Sequence, residues 1–274
     1  MNNEQDVSAH YRHGSLEQAL LDAVGAMGRG ADCLQPADLM GADEFHIGGA
    51  QATRHLVAPL ALTAAMHVLD LGSGLGGPAR TLAATHGCRV TGIDLSDEYV
   101  AVATSLTRRM GLADRVAFRC GSATALPFDD AVFDGATLLH VGMNIADKRG
   151  LCAGVHRVLR PDGFFAIYDV MRTGPGALEF PVPWAGGAEA SFVEPPEIYR
   201  AALTEAGFTI VAEQARAAFA REVFAALRAR PTASGPPLLG PHIVMGPAAA
   251  RKIANLTALL ERGVIAPVEM IARR

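Results

Sequence analysis

The sequence predicts a three-layer α/β domain, and three observations lead there. Short apolar runs alternate with helical stretches through the middle of the chain, a glycine-rich loop joins the first such run to a helix, and the chain is large enough to cover both faces of a sheet. With 274 residues, 50% hydrophobic and 19% charged, it can bury roughly three quarters of its unfolded surface without disulfide or metal staples. The first sixty residues read as a helical preface: Leu16, Leu20, Ala23, Val24 and Met27 recur at helical spacing, and a second helix is expected over Gln51 to Leu60. Strands are then expected at His67 to Leu71, Arg89 to Ile93, Arg115 to Cys120, Val132 to Leu139 and Gly163 to Val170. Helices at Gly77 to His86, Ser96 to Met110 and Asp147 to Leu159 lie between them, with Ser96 as cap and Gly111 as stop for the second. A Gly/Pro-rich stretch, Thr173 to Pro196, is too long for an ordinary connection and reads as a lid or binding loop. A helix from Glu197 to Ala206, a strand from Phe208 to Glu213, a helix from Ala217 to Arg230, a turn-rich segment, a helix ending at Arg262 and a strand from Pro267 to Ala272 complete the chain.

The net charge is −4, and the whole chain holds two lysines, Lys148 and Lys252. A nucleic-acid partner held by counterion release needs a basic block that is absent here. Cys33, Cys88, Cys120 and Cys152 are dispersed, with no CxxC pair to ligate a metal, and read as reduced thiols. The polar start and the lack of an apolar run of about 18 residues predict a cytoplasmic protein without membrane insertion.

The chemistry concentrates in His67-Val-Leu-Asp-Leu-Gly-Ser-Gly-Leu-Gly-Gly77, where a strand ends in an acid and a glycine loop opens into a helix. Gly72, Gly74 and Gly77 also fit the GxGxxG pattern of dinucleotide sites, with Asp94 as the ribose acid. Asp70 favours a different ligand, because a carboxylate beside the loop attracts an ammonium group and repels a pyrophosphate. Asp94, in Gly92-Ile-Asp-Leu-Ser96, is expected to accept both ribose hydroxyls. The turn Gly121-Ser-Ala-Thr-Ala-Leu-Pro-Phe128 is expected to border an adenine, with Leu126 or Phe128 against its face.

On these residues, together with Val132-Phe-Asp134 and Arg157-Val-Leu-Arg-Pro-Asp-Gly163, the sequence resembles the class I S-adenosylmethionine-dependent methyltransferases. Within them it is similar to the methyltransferase type 11 group of small-molecule enzymes, such as the menaquinone/ubiquinone C-methyltransferases and the glycine/sarcosine N-methyltransferases. The resemblance implies a three-layer Rossmann-like class I methyltransferase fold: a seven-stranded, mostly parallel sheet with an antiparallel last strand, plus helical caps. It implies an N-terminal cap over residues 1–60 and a cofactor-binding domain over 61–274, with a substrate lid at 171–196 and an insertion at 215–262. It further implies that Asp70, Gly72, Ser73, Gly74 and Gly76 hold the methionine part of S-adenosylmethionine, that Asp94 and Leu95 hold the ribose, and that Ser122 and Ala123 border the adenine. A hydroxyl, Ser122, stands where the family usually has an acid for the adenine amine.

The acceptor is expected to be a small molecule in an enclosed pocket, methylated by a monomer or homodimer that uses no metal. His140, after the fourth strand, and His46, in the preface, are the candidate general bases, with His140 also beside the cofactor. Substrate contacts are expected from Asn144, Asp169, Arg172, Trp184, His242 and Met245. Each has a plain structural alternative as a cap, an anchor or a surface turn. Two other functions stay open at this stage: an NAD(P)-dependent oxidoreductase built on the same glycine loop, and a protein that binds S-adenosylmethionine without transferring its methyl group.

Overall fold

The computed structural model describes residues 3–10, 15–30, 33–229 and 237–274. Among these described residues, seven strands form one sheet in the order β3-β2-β1-β4-β5-β7-β6. They are β1 (His67–Leu71), β2 (Arg89–Asp94), β3 (Val116–Cys120), β4 (Phe133–Leu139), β5 (Leu159–Arg172), β6 (Thr209–Ala215) and β7 (Ile265–Arg273). The first five are parallel. β7 runs antiparallel to both β5 and β6 and lies between them, so β6 shares the direction of the first five and the last strand alone is reversed.

The helices follow the connections: α1 (Asn3–His10), α2 (Leu16–Ala26), α3 (Pro36–Asp43), α4 (Gly49–Val57), α5 (Gly77–His86), α6 (Asp97–Arg109), α7 (Lys148–Val158), α8 (Pro196–Glu205), α9 (Ala217–Arg228), α10 (Pro241–Met245) and α11 (Ala249–Glu261). Local chemistry sets several ends. Gly76 and Gly87, both left-handed, bracket α5. The Ser96 hydroxyl accepts the Tyr99 amide to cap α6, whose first turn is acidic and whose last is basic. Asp147 caps α7 by accepting the Gly150 amide. α1, α3 and α10 were not expected from periodicity; α3 and α10 are each a short run started by a proline, too brief to display a repeat. The segment 230–236, within the expected turn-rich region, lies outside the described residues.

β5 runs two residues past its expected end, because β7 stays paired with it through Arg172 and Ile265. On one sheet face α7 and α8 pack through Leu151, Val155, Tyr199 and Leu203, and on the other α4 and α5 pack through Leu56, Leu82 and Ala83. A separate small core joins the preface to α6 and α10: Leu16, Leu20, Val24 and Leu39 meet Tyr99, Val102, Leu106 and Val244. The preface and the segment after α9 are thereby clamped together over the carboxyl ends of the strands. None of the four cysteines is paired, and among the described residues no helix is long and apolar enough to cross a membrane.

Candidate functional site

The strand order reverses between β1 and β4, and the crevice outside their carboxyl ends is where open α/β sheets hold ligands. A cavity of about 430 Å³ occupies that crevice, within the usual range for small-molecule sites. Its floor is the loop Gly72-Ser-Gly-Leu75, the β2 end Ile93-Asp-Leu-Ser96, the β3 turn Gly121-Ser-Ala-Thr124 and the β4 end Leu139-His-Val141. Its roof comes from sequence-distant pieces: Glu4 and Val7 of α1, Asp43, Phe45 and His46 of the preface, and Val244 of α10.

The glycine loop is tied to the neighbouring strand. Gly72 and Ser73 amides donate to Ile93 O at 2.8 and 3.0 Å, and the Gly74 amide donates to Asp94 Oδ2 at 2.8 Å. Gly72 and Gly74 have φ of +65° and +53°. A Cβ at Gly72 would collide with Val141, whereas one at Gly74 would meet nothing within 4 Å, so bare backbone faces the cavity there. Asp94 accepts the Gly74 amide on one oxygen and the Ser96 amide on the other, at 2.9 Å. Its burial raises its pKa while those amides oppose the rise.

Asp70, the last residue but one of the neighbouring strand β1, is buried. Thr137 on β4 donates to its Oδ1 at 2.9 Å, and Oδ2 has no partner among the described residues. Burial, with the charges of Glu44 and Asp94 adding to it, pushes its carboxyl up to about 7. At the start of α5, Asp43 sits so close that a Cβ on Gly77 would overlap its backbone. Arg80, fully buried, holds Asp43 Oδ2 at 2.7 Å and also donates to Leu75 O and to the Thr107 hydroxyl. Desolvation outweighs that pairing and brings Asp43 up to about 6.

At the other end of the floor, His140 adopts φ +53° directly after β4 and packs 5.0 Å from the Tyr168 ring and 5.9 Å from the His46 ring. Its Nε2 is buried without a partner among the described residues. His46 Nε2 lies 3.0 Å from Gly49 O and 3.1 Å from the Thr53 hydroxyl. Thr53 gives its only proton to Glu44, at 2.6 Å, so both contacts require a proton on His46 Nε2 and leave Nδ1 as the lone-pair nitrogen. Burial lowers His46 to about 4 and depresses His140 as well, the neighbouring imidazole adding to the second effect. Both are neutral near pH 7.

Of the expected site residues, Gly72, Ser73, Gly74, Asp94, Leu95, Ser122, Ala123, His140, His46 and Asn144 line this one cavity. Gly76 instead turns the chain into α5, packed under Phe118 and Arg80. Leu126 and Phe128 pack into the core below the β3 turn. Asp169 is enclosed by the sheet, where the Tyr199 hydroxyl donates to it at 2.5 Å. Arg172 reaches Gly176 O at 2.7 Å. Trp184 is buried with Val170 and Val182, its indole donating to Ser191. Met245 is buried beside Val244, with Lys252 on its carbonyl, and His242 lies off the cavity wall. Asn144 joins the cavity to the 173–196 segment, its amide donating to Trp184 O at 2.9 Å and Ala190 O at 2.8 Å. Glu4, Asp43, Phe45, Tyr99 and Thr124 were not anticipated. The one sequence signal at this corner of the cavity was the hydroxyl at Ser122 in place of the acid usual in the resembled family.

Residues 69–167 match a family model described as a methyltransferase domain. A curated relative, the sterol 24-C-methyltransferase of Eremothecium gossypii, is 30% identical over 181 residues, 64% of this chain and 48% of its own length. The chain thus spans about half the length of that relative. Among solved structures, the [4+2]-cyclase SpnF superposes with a TM-score of 0.68 at 24% identity, covering 100% of this chain and 97% of its own. A geranyl diphosphate methyltransferase in complex with GPP and sinefungin gives 0.71 at 16% identity, covering 99% of both chains. Over residues 69–167 the chain is similar to a methyltransferase domain, and as a whole it has the fold of these solved structures.

In that fold the glycine loop takes on a different meaning from its dinucleotide counterpart. The three loop amides that a pyrophosphate would recruit are committed to Ile93 and Asp94, and the start of α5 is occupied by Asp43. An anion placed there would find a carboxylate in place of free N–H groups.

Proposed function

We propose that this chain binds S-adenosylmethionine along the ends of β3, β2, β1 and β4 and transfers its methyl group to a small acceptor enclosed under the preface. The observation that carries this reading is a set of buried polar atoms without partners among the described residues: Asp43 Oδ1, Asp70 Oδ2, Ser73 Oγ and His140 Nε2. Asp43, Ser73 and His140 line the cavity, and Asp70 precedes its glycine loop by two residues. Native proteins pair nearly all such atoms, so orphans gathered at one site are addressed to a ligand. Two of the four are carboxylate oxygens, which select a cation. The ammonium of the methionine part fits Asp43 and Asp70, the bare backbone at Gly74 fits its close approach, and Asp94 retains lone pairs for two ribose hydroxyls after accepting two amides.

When bound, the cofactor supplies an electrophilic methyl group on a sulfonium, open to in-line displacement. The chain's part is alignment, exclusion of water and removal of a proton. His140 Nε2 is the accepting atom for a proton from a hydroxyl or amine acceptor, and His46, locked as its Nε2–H tautomer, holds a second neutral imidazole beside it. Among the described residues the cavity is lined by no Lys or Arg but by the carboxylates Glu4, Asp43, Asp94 and Asp147, together with Val7, Phe45, Ile145 and Val244. The acceptor class that suits this wall is largely apolar and neutral or cationic. Phosphorylated acceptors lack a counter-charge.

The deciding experiment is calorimetry with S-adenosylhomocysteine and NADH. Binding of the first alone is expected, and Asp94→Ala should weaken it about a hundredfold, given about 1.5–3 kcal/mol for each hydrogen bond to a charged group. Tight NADH binding without uptake of S-adenosylhomocysteine would return the site to the oxidoreductase reading. Transfer of labelled methyl from the cofactor to a panel of neutral phenols and amines then separates a transferase from a protein that binds without transferring.

A further inference from the structure

A ligand laid along the sheet edge, with its amino-acid part over β1 and its sugar at Asp94 of β2, brings its base to the β3 turn, since β3 is the next strand outward. That turn presents Ser122 and Thr124, two hydroxyls 2.8 Å apart. Neither is an acid, so the turn by itself offers no group that distinguishes an amino substituent from a carbonyl, because a hydroxyl donates as readily as it accepts.

The distinguishing group arrives from 118 positions away in the sequence. The Glu4 carboxylate of α1 lies on the cavity wall and receives the Ser122 hydroxyl proton on Oε1, with Thr124 donating to the same oxygen at 3.3 Å. The other oxygen, Oε2, has no hydrogen-bond partner among the described residues. α1 is held in this position at points beyond Glu4. Val7 is buried and packs with Trp184, Ala185 and Ala190 of the 173–196 segment. His10 lies 3.1 Å from Pro183 O and 3.3 Å from Lys252 Nζ. The helix therefore bridges the cavity from the β3 turn to the lid and α11.

We propose that Glu4 is the base-selecting residue of this chain: its carboxylate accepts the 6-amino group of the adenine, replacing from α1 the acid that the β3 turn lacks, and the seating of α1 is thereby coupled to cofactor binding. This deepens the S-adenosylmethionine reading above and rests on it. An acceptor-only group opposite a donor-only substituent selects for that substituent, since an analogue with a carbonyl at the same place sets two acceptors against each other. The coupling is reciprocal by linkage: a helix that contributes a contact to the bound cofactor is itself stabilised by it.

The test uses S-adenosylhomocysteine and S-inosylhomocysteine, which carries oxygen in place of the 6-amino group. By calorimetry the full-length wild type is expected to prefer the adenosyl compound by about tenfold or more. Glu4→Ala is expected to weaken the adenosyl compound and bring the two affinities to within about threefold. Adding Ser122→Asp to Glu4→Ala is expected to restore the preference from the β3 turn itself, and Glu4→Gln, which keeps the length of the side chain and α1 in place, is expected to lose most of it, whereas a purely structural role for Glu4 would leave Glu4→Gln with the wild-type preference. Hydrogen exchange of the amides in Asn3–His10 is expected to slow when S-adenosylhomocysteine binds the wild type, and to do so much less in Glu4→Ala. An unchanged preference in Glu4→Ala, with wild-type protection of α1, would overturn this assignment and leave the cofactor reading standing. Failure of the wild type to bind S-adenosylhomocysteine would remove both.

Discussion

The two ends of the cavity solve their polar bookkeeping in opposite ways. At the β2–β3 end, Asp94 has an amide on each oxygen, and Ser122 and Thr124 bond each other and one oxygen of Glu4. At the β1–β4 end, Asp43, Asp70, Ser73 and His140 each keep a buried atom without a partner among the described residues. Two carboxyl groups there are raised by desolvation to about 6 and about 7. At the first end the strand exits are fixed by their own hydrogen bonds, and only α1, which covers them through Glu4, is expected to respond to a ligand. The second stores unsatisfied atoms, which cost stability in the free protein and which, on the function proposed above, a cation and an acceptor would satisfy. Under the proposed function, the contrast would separate the part of the site that holds the cofactor's sugar and base from the part where charge and protons move.

The sharpest way to break the comparison is at His140. Asparagine tolerates the left-handed backbone found there, so His140→Asn is expected to keep the fold and cofactor affinity while turnover falls about 10²–10⁴-fold, the usual worth of a general base. Equal loss of cofactor affinity, measured by calorimetry, would make the residue a binding wall instead. Next in size is Arg80→Met, which strands Asp43 in the interior and is expected to cost about 3–5 kcal/mol in urea unfolding. Adding Asp43→Leu should recover most of that stability but not cofactor affinity, because the carboxylate proposed to meet the ammonium is gone.

A smaller effect is expected from pH. Asp70 is raised in the folded protein above its ordinary 3.8, to about 7. The fold therefore prefers its protonated form, and that contribution is complete below the ordinary value and lost as pH rises through about 7. A bound ammonium reverses the preference. Affinity for S-adenosylhomocysteine should then increase between pH 6 and pH 8 by at most about tenfold per unit, with proton release visible as a buffer-dependent binding enthalpy. A flat profile would detach Asp70 from the ligand. The smallest change is expected from Asn144→Ala, which removes two hydrogen bonds to the 173–196 segment at about 1 kcal/mol each; faster hydrogen exchange across 184–191 without a change in cofactor affinity would mark Asn144 as an anchor of that segment.

The series of strands and helices from β1 to β5 was legible because each signal is local. A strand, its glycine turn and the following helix are adjacent in sequence, and Gly76, Gly87, Ser96 and Asp147 act on the segments they touch. Asp94 and the Gly72–Gly74 loop were readable for the same reason, since a parallel strand's exit loop falls on the ligand edge. Asp169 and Trp184 were harder to place. Asp169 was expected near a strand end, but pairing with β7 carries β5 past it, and Tyr199 of α8 closes over it. The indole of Trp184 is committed to Ser191 and its ring to the core.

Sequence alone therefore determined the sheet, the loop and the acid at the end of β2, because those depend on neighbours a few residues away and on the periodicities of helix and strand. Only the tertiary structure decided which distant groups roof the cavity: Glu4 over the β3 turn, Asp43 on the start of α5, His46 beside His140. Their positions follow from how the preface, α6 and α10 share a core. Side chains brought together by that packing carry no mark of one another in the chain, and the charges and orphaned atoms that define the chemistry exist only once it has formed.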